Sequence, residues 1–176
     1  MNEFNRLAST PSDIHEHMLT LVKYAKNCES VAELGVRNVV SAWAWVEAKV
    51  KVIHAYDFVD PEANRLEDIK QAAKKEDIAF TFYKQDVLKT TIPEVDLLFI
   101  DTLHVYQQLK AELALHANKA RKYIILHDTT TYAHRGEDRV SVGLLPALYE
   151  FLEETEEWDV LEVFTNCNGL TILQRI

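Results

Sequence analysis

Apolar positions along this chain alternate between two spacings, and each spacing predicts a different element. In "TPSDIHEHMLTLVKYAKNC", Ile14, Met18, Leu21, Val22 and Ala25 recur at the three-to-four-residue interval of a buried helical face. Thr10 is placed to cap this helix, with Pro11 in the first turn and Asp13 favouring its dipole. "SVAELG" follows as a short strand closed by Gly35, and Asn38 is placed to cap a helix through "VVSAWAWVEAK". "KVKVIHAYD" predicts a strand ending at Asp57; Asp60, as N-cap, and Pro61 start a helix with Leu66, Ile69 and Ala73 on one face. "IAFTFYKQD" is a third strand ending near Asp86, and "VDLLFID" a fourth ending at Asp101. "VYQQLKAELALHANKA" predicts a helix, and "KYIILHD" a fifth strand before a polar loop from Thr129 to about Val142. "GLLPALYEFLEET" reads as helical, and "WDVLEVFT" with "GLTILQR" as a closing antiparallel pair around "NCNG".

Strand and helix alternate through the first two thirds, which predicts a parallel sheet covered on both faces by right-handed crossovers. The uninterrupted runs "LLFI" and "YIIL" suit strands buried on both faces. Ligands of such sheets bind outside the carboxyl ends of the strands. The first five predicted strands each end in a carboxylate or, for the first, at Gly35 two residues past Glu33. That coincidence is the strongest functional signal in the sequence.

Composition narrows the partners. The 176 residues suffice for one compact domain, and 48% hydrophobic with 27% charged residues is ordinary globular usage. A formal net charge of −9, from 28 acidic against 19 basic residues, argues against nucleic acid or an anionic membrane surface and towards a small molecule. Cys28 and Cys167 lie far apart and form no C-x-x-C pair, so neither a disulfide framework nor a zinc knuckle is expected, and a reducing cytoplasm is the default compartment. The start, "MNEFNRLASTPSD", has no apolar signal core, and no stretch approaches a membrane span, so a soluble, unprocessed chain is expected.

Candidate chemistry sits at the strand ends. Gly35 lies between a strand and a helix, where backbone and ligand can approach closely, although an ordinary turn explains one glycine equally well; G-x-G-x-x-G is absent. Glu33 near the end of a buried strand requires a partner. Asp57, 22 residues after Gly35, is spaced to accept the ribose hydroxyls of an adenosine-type ligand. Asp86 faces either an adenine amino group or solvent. If the fourth and fifth strands are neighbours, Asp101 and Asp128 project from adjacent tips, and such oxygen ligands suit Mg2+. His104 is then placed as a general base, and His127 as a ligand, a supporting partner or packing. His15, His17, His54, His116 and His134 are assigned structural roles, since H-E-H at 15 to 17 lacks the i, i+4 spacing of a helical zinc pair.

Taken in order, "VAELGVRNVVSAW", "HAYDFVDPE", "FYKQDV", "DLLFIDTLHVYQQLKAEL" and "YIILHDTTTY" resemble the class I S-adenosylmethionine-dependent methyltransferases. The likeness is to the small branch that includes cephalosporin-hydroxylase-like proteins and macrolide or aminocoumarin sugar O-methyltransferases, and it covers nearly the whole chain. It implies a Rossmann-like α/β three-layer sandwich over residues 1–176, a single domain whose seven-stranded, mostly parallel sheet has its last strand antiparallel. The N-terminal helix, residues 10–27, would pack as a partial lid.

The resemblance further implies that Glu33, Gly35 and Val36 face the methionine and ribose part of the cofactor. Asp57 would take the ribose hydroxyls, Asp86 and Val87 would border the adenine, and Asp101 would lie beside both cofactor and metal. Asp101, His127 and Asp128 would ligate the metal, and His104, three residues after the first metal acid, would be catalytic. The expected partner is a small-molecule or sugar acceptor, with a homodimer able to complete its pocket. The rival expectation is a non-catalytic or cofactor-binding-only module on the same fold.

Overall fold

A computed structural model describes residues 2–176. Its helices are α1 (Glu3–Ser9), α2 (Met18–Ala25), α3 (Ala42–Glu47), α4 (Ala63–Lys75), α5 (Tyr106–His116) and α6 (Leu144–Glu154). Its strands are β1 (Ser30–Leu34), β2 (Val52–Asp57), β3 (Ala79–Lys84), β4 (Val95–Ile100), β5 (Ala120–His127), β6 (Trp158–Phe164) and β7 (Leu170–Arg175). The strands form one sheet in the order β3-β2-β1-β4-β5-β7-β6. β1 to β5 pair in parallel, β7 pairs antiparallel with β5, and β6 antiparallel with β7, so β7 alone opposes the rest.

Burial explains the strand sequences. All six residues of β4 are buried, because helices cover both faces of the sheet at its centre. On one face Phe4, Met18, Leu21, Trp45 and Ile69, from α1 to α4, pack on Phe99 and Ile125. On the other, Leu109 and Leu113 of α5 and Leu148 of α6 pack on Leu98 and Ile124. Each such side chain contributes about 1.5–3 kcal/mol when fully buried, so the two apolar layers fix the sheet and with it the positions of its strand tips. Among the described residues, no helix is long and apolar enough to cross a membrane.

Three predicted helix starts move. Of the single helix expected over 10–27, only Met18–Ala25 is α-helical, preceded by the 3-10 turn His15–His17, and a separate helix, α1, capped by the Asn2 side chain, ends just before Thr10. Thr10 is extended (φ −101°, ψ 121°), as a residue before proline prefers, and Pro11 therefore interrupts the chain instead of opening a helix. Asn38 does not cap α3; residues 36–40 form a turn in which Arg37 (φ 39°) and Val39 (φ 58°) are left-handed, and the helix waits until Ala42. Asp60 does not cap α4 either. That helix begins at Ala63 with Glu62 at its N-cap, while Asp60 pairs with Lys84 Nζ at 2.5 Å.

Candidate active site

The register of the sheet brings four chain segments to one edge. Leu34 pairs with Tyr56 on one side and with Ile100 on the other, and Ile100 pairs with Leu126. The residues that follow, Gly35, Asp57, Asp101 and His127–Asp128, therefore share the carboxyl edge. β1 and β4 are neighbours from which the chain winds in opposite directions, and a crevice opens at such a switch point. Here it is a cavity of about 660 Å³, within the range of small-molecule sites.

Gly35 sits at the root of this cavity with φ +88°. A Cβ at Gly35 would lie 1.9 Å from the backbone oxygen of Asp101, so the close approach of the β1 and β4 tips is what excludes a side chain there. Of the residues expected to bind the cofactor, Gly35, Val36, Asp57, Asp86, Val87 and Asp101 line the cavity. Glu33 does not, which corrects its placement. It is fully buried beneath the floor, accepting hydrogen bonds from the Ser41 hydroxyl and, at 2.9 Å, from Trp45 Nε1. Burial pushes its carboxyl up to about 8, against the opposing effect of those two donors and with a smaller contribution from Asp101 and Asp57.

Asp57 shapes the turn as well as lining it. Its Oδ2 accepts from Val36 N (2.9 Å) and Arg37 N (3.0 Å), and its Oδ1 from Val59 N (3.0 Å). A carboxylate offers about four acceptor positions, so three backbone donors leave little for a ligand's two hydroxyls. Asp86 likewise caps the short 3-10 turn Val87–Lys89, accepting from Leu88 N at 3.0 Å. A hydrogen bond from Lys89 is the main cause holding its carboxyl below the ordinary range.

The acids that follow β4 and β5 do converge. His104 Nε2 lies 2.8 Å from Asp128 Oδ2 and 3.2 Å from Asp101 Oδ1. His127 Nδ1 lies 3.3 Å from the same two oxygens. Glu137 Oε2 reaches the other face of His104, 2.5 Å from Nδ1, and Tyr132 stacks on the ring at 4.8 Å. Burial disfavours charge on His104, but hydrogen bonds to Asp101 and Asp128 outweigh it and raise the imidazole's proton affinity; the same pair acts on His127. In return the two imidazoles hold the Asp101 carboxyl well below its usual range, against burial. Asp128 adopts φ +62°, a conformation that aspartate tolerates better than most residues, and its Oδ1 is buried without a partner.

This donor set fits a hard divalent cation. Asp101, His104 and Asp128 each bring a ligand atom within 4.8 Å of one another, and the orphaned Asp128 Oδ1 is an oxygen still seeking positive charge. The resemblance implied His127 as the nitrogen ligand; its Nδ1 lies 3.3 Å from both acid oxygens, and His104 Nε2 falls in the same cluster, so either imidazole can complete the set and the other is left beside it. The cavity also suits a sulfonium nucleoside. Its acid-lined side offers negative charge from Asp101, and Val36, Tyr56, Phe58 and Val87 offer apolar surface to a base.

Two acids escaped the sequence reading. Glu137 lies in the polar loop, where nothing in the pattern distinguishes it. Glu112 is fully buried on the core face of α5 between Leu109, Leu113 and His116, and an acid at that helical spacing was a legible signal. Thr102 Oγ1 (2.7 Å) and Gln108 Nε2 (2.8 Å) donate to it, and burial pushes it up to about 7.

Solved structures supply the comparison. Magnesium protoporphyrin IX methyltransferase from Synechocystis PCC 6803 with bound SAM aligns over 99% of this chain and 90% of its own, with a TM-score of 0.68 at 13% identity. The O-methyltransferase TomG from Streptomyces achromogenes, involved in tomaymycin synthesis and in complex with SAM, covers 99% and 90% with a TM-score of 0.66 at 13% identity. A methyltransferase from Geobacter sulfurreducens covers 98% and 82% with a TM-score of 0.62 at 11% identity. No family model and no curated protein matches the chain. At these identities the likeness establishes the fold alone, a Rossmann-like α/β sandwich shared with these methyltransferases over 98–99% of the chain.

Proposed function

We propose that this chain transfers a methyl group from S-adenosylmethionine to a hydroxyl of a small molecule, with a sugar as the favoured acceptor and Mg2+ as the assisting metal. The observation that carries this reading is the convergence of Asp101, His104 and Asp128 at the rim of a cavity at the sheet's switch point. Solved neighbours with SAM bound in the same fold support the cofactor.

In the reaction, the acceptor oxygen forms a bond to the methyl carbon as the carbon–sulfur bond breaks, and the electron pair returns to sulfur. Asp101, kept ionised by His104 and His127, places negative charge beside the sulfonium. The cavity holds oxygen, carbon and sulfur in line, and such positioning can supply about 7–11 kcal/mol of the barrier reduction. Asp101 and Asp128, with His127 as the nitrogen ligand, would hold a divalent cation, which would make the acceptor hydroxyl more acidic. His104, left off the metal and in its neutral form, takes the hydroxyl proton at Nε2, while Glu137 and Tyr132 fix the ring. Ile14 and Asp13, from the segment between α1 and α2, cover part of the cavity, and Asp13 pairs with Arg37 across it.

The test is methyl transfer from labelled S-adenosylmethionine to a panel of sugar and phenolic hydroxyls, with and without Mg2+. Asp101→Asn is expected to abolish turnover while leaving cofactor affinity largely intact. An unchanged rate would remove Asp101 from the mechanism.

One observation favours a second reading, a module that no longer turns over: Asp57 spends three acceptor positions on its own backbone. Under that reading no acceptor is methylated whatever the metal, and the cavity serves assembly or binding.

A further inference from the structure

On the far side of the N-terminal segment, three metal-binding side chains meet that the catalytic proposal does not use. His15 and Glu16 belong to the 3-10 turn His15–His17, and Cys167 to the turn between β6 and β7. Each brings one ligand atom within 4.8 Å of the others, although about 150 residues separate them in sequence. We propose that His15, Glu16 and Cys167 form a second metal site, selective for a thiophilic divalent ion of the Zn2+ class, that clasps the N-terminal segment to the β6–β7 turn.

The distances suit that ion. Cys167 Sγ lies 3.7 Å from His15 Nδ1. In a tetrahedral site with ordinary zinc–sulfur and zinc–nitrogen bonds, the sulfur–nitrogen edge is about 3.6 Å. Asn166 Nδ2 donates to Glu16 Oε2 at 2.5 Å and orients the carboxylate, as supporting groups around metal ligands commonly do. Cys167 and His15 are half-buried and Glu16 is exposed, so a fourth position opens to water.

The turn that carries Cys167 is rigidly placed. Cys167 (φ 45°) and Asn168 (φ 69°) are both left-handed, and a Cβ at Gly169 would lie 2.4 Å from Thr130. Asn168 O accepts from Thr130 N and Thr131 N, both at 2.9 Å. The thiol therefore stays directed at the N-terminal segment, where its present acceptors are the Ser12 (3.4 Å) and Asp13 (3.1 Å) carbonyls. The His15 ring nitrogen meets Ser12 N at 3.1 Å and Ser12 O at 2.8 Å, contacts that metal binding replaces.

Ligand chemistry separates the two sites. A thiolate with an imidazole and one carboxylate selects Zn2+ over Mg2+, whereas the Asp101–Asp128 pair is a hard-oxygen site. Binding here forms a metal–sulfur bond and releases the thiol proton to solvent. Because Asp13 and Ile14 immediately precede the cluster and line the cavity, the clasp fixes the cover of the cofactor site.

The probe is Co2+ added to the metal-free full-length chain. Wild type and Asp101→Asn are expected to develop a thiolate-to-cobalt charge-transfer band in the near ultraviolet, saturating at one equivalent and lost on adding Zn2+. Cys167→Ser and His15→Ala, shown to be folded by circular dichroism, are expected to lose the band. No band in the wild type, or a band that survives Cys167→Ser, would overturn the site.

Discussion

His104 Nε2 lies 2.8 Å from Asp128 Oδ2 and 3.2 Å from Asp101 Oδ1, so one imidazole in the loop between β4 and α5 ties together the acids that follow β4 and β5. With Glu137 on its other nitrogen, the ring balances three carboxylates within a small volume. The three acids come from different segments, and only the parallel register of β4 with β5 brings two of them together.

That arrangement makes stability depend on His104 being charged. Its folded-state proton affinity is raised to about 10 from an ordinary 6.5, so its contribution is complete below about 6.5 and is lost as pH rises towards about 10. In chelator, His104→Asn is expected to cost about 3 kcal/mol at neutral pH, because it leaves carboxylates uncompensated. Urea denaturation at a series of pH values checks this. A penalty that does not shrink towards alkaline pH would contradict the charged imidazole.

Glu33 runs the same way with pH, over a lower window and for a different reason, burial of the carboxyl. Its folded-state value of about 8 lies above the ordinary 4.5, so between those values the folded state binds more protons than the unfolded chain. Stability should therefore fall as pH rises through that window, by up to about 1.4 kcal/mol per pH unit for this one group. Glu33→Gln is expected to flatten the fall, since Trp45 can still donate to the amide oxygen and the Ser41 hydroxyl can turn to accept from the amide nitrogen. An identical pH–stability slope in the variant would show that Glu33 is ionised throughout.

Gly35→Ala probes the contact between strand tips. The new Cβ would collide with the Asp101 backbone at a position that is already left-handed. A loss of about 3 kcal/mol or more is expected from strain and overpacking combined, read as a lower urea midpoint. A neutral substitution would mean that the β1 and β4 tips are free to separate.

Most of the sheet was legible because its signals are local. Uninterrupted apolar runs such as "LLFI" can only be central strands here, and their terminal acids followed directly. The helix starts near Thr10, Asn38 and Asp60 were misplaced because capping residues also serve turns, ion pairs and pre-proline bends, and tertiary contacts decide between those uses. Glu33 read as a site residue because a buried acid needs a partner; its partners, Ser41 and Trp45, lay in the next helical segment of the same pattern. Glu137 was illegible, since its position depends on how the loop returns: its backbone N donates to His104 O at 3.2 Å. His15 and Cys167 could not be paired from sequence, being joined only by the closure of the last strand pair.

The central claim is that the crevice beside Gly35 and Asp101 takes a sulfonium nucleoside. Calorimetric titration of S-adenosylmethionine into the full-length chain tests it without knowledge of the acceptor. One-site binding that is weakened by a bulky Val36→Trp substitution at the cavity wall is the expected result. Absence of binding at millimolar cofactor, with Mg2+ present or absent, would contradict the account.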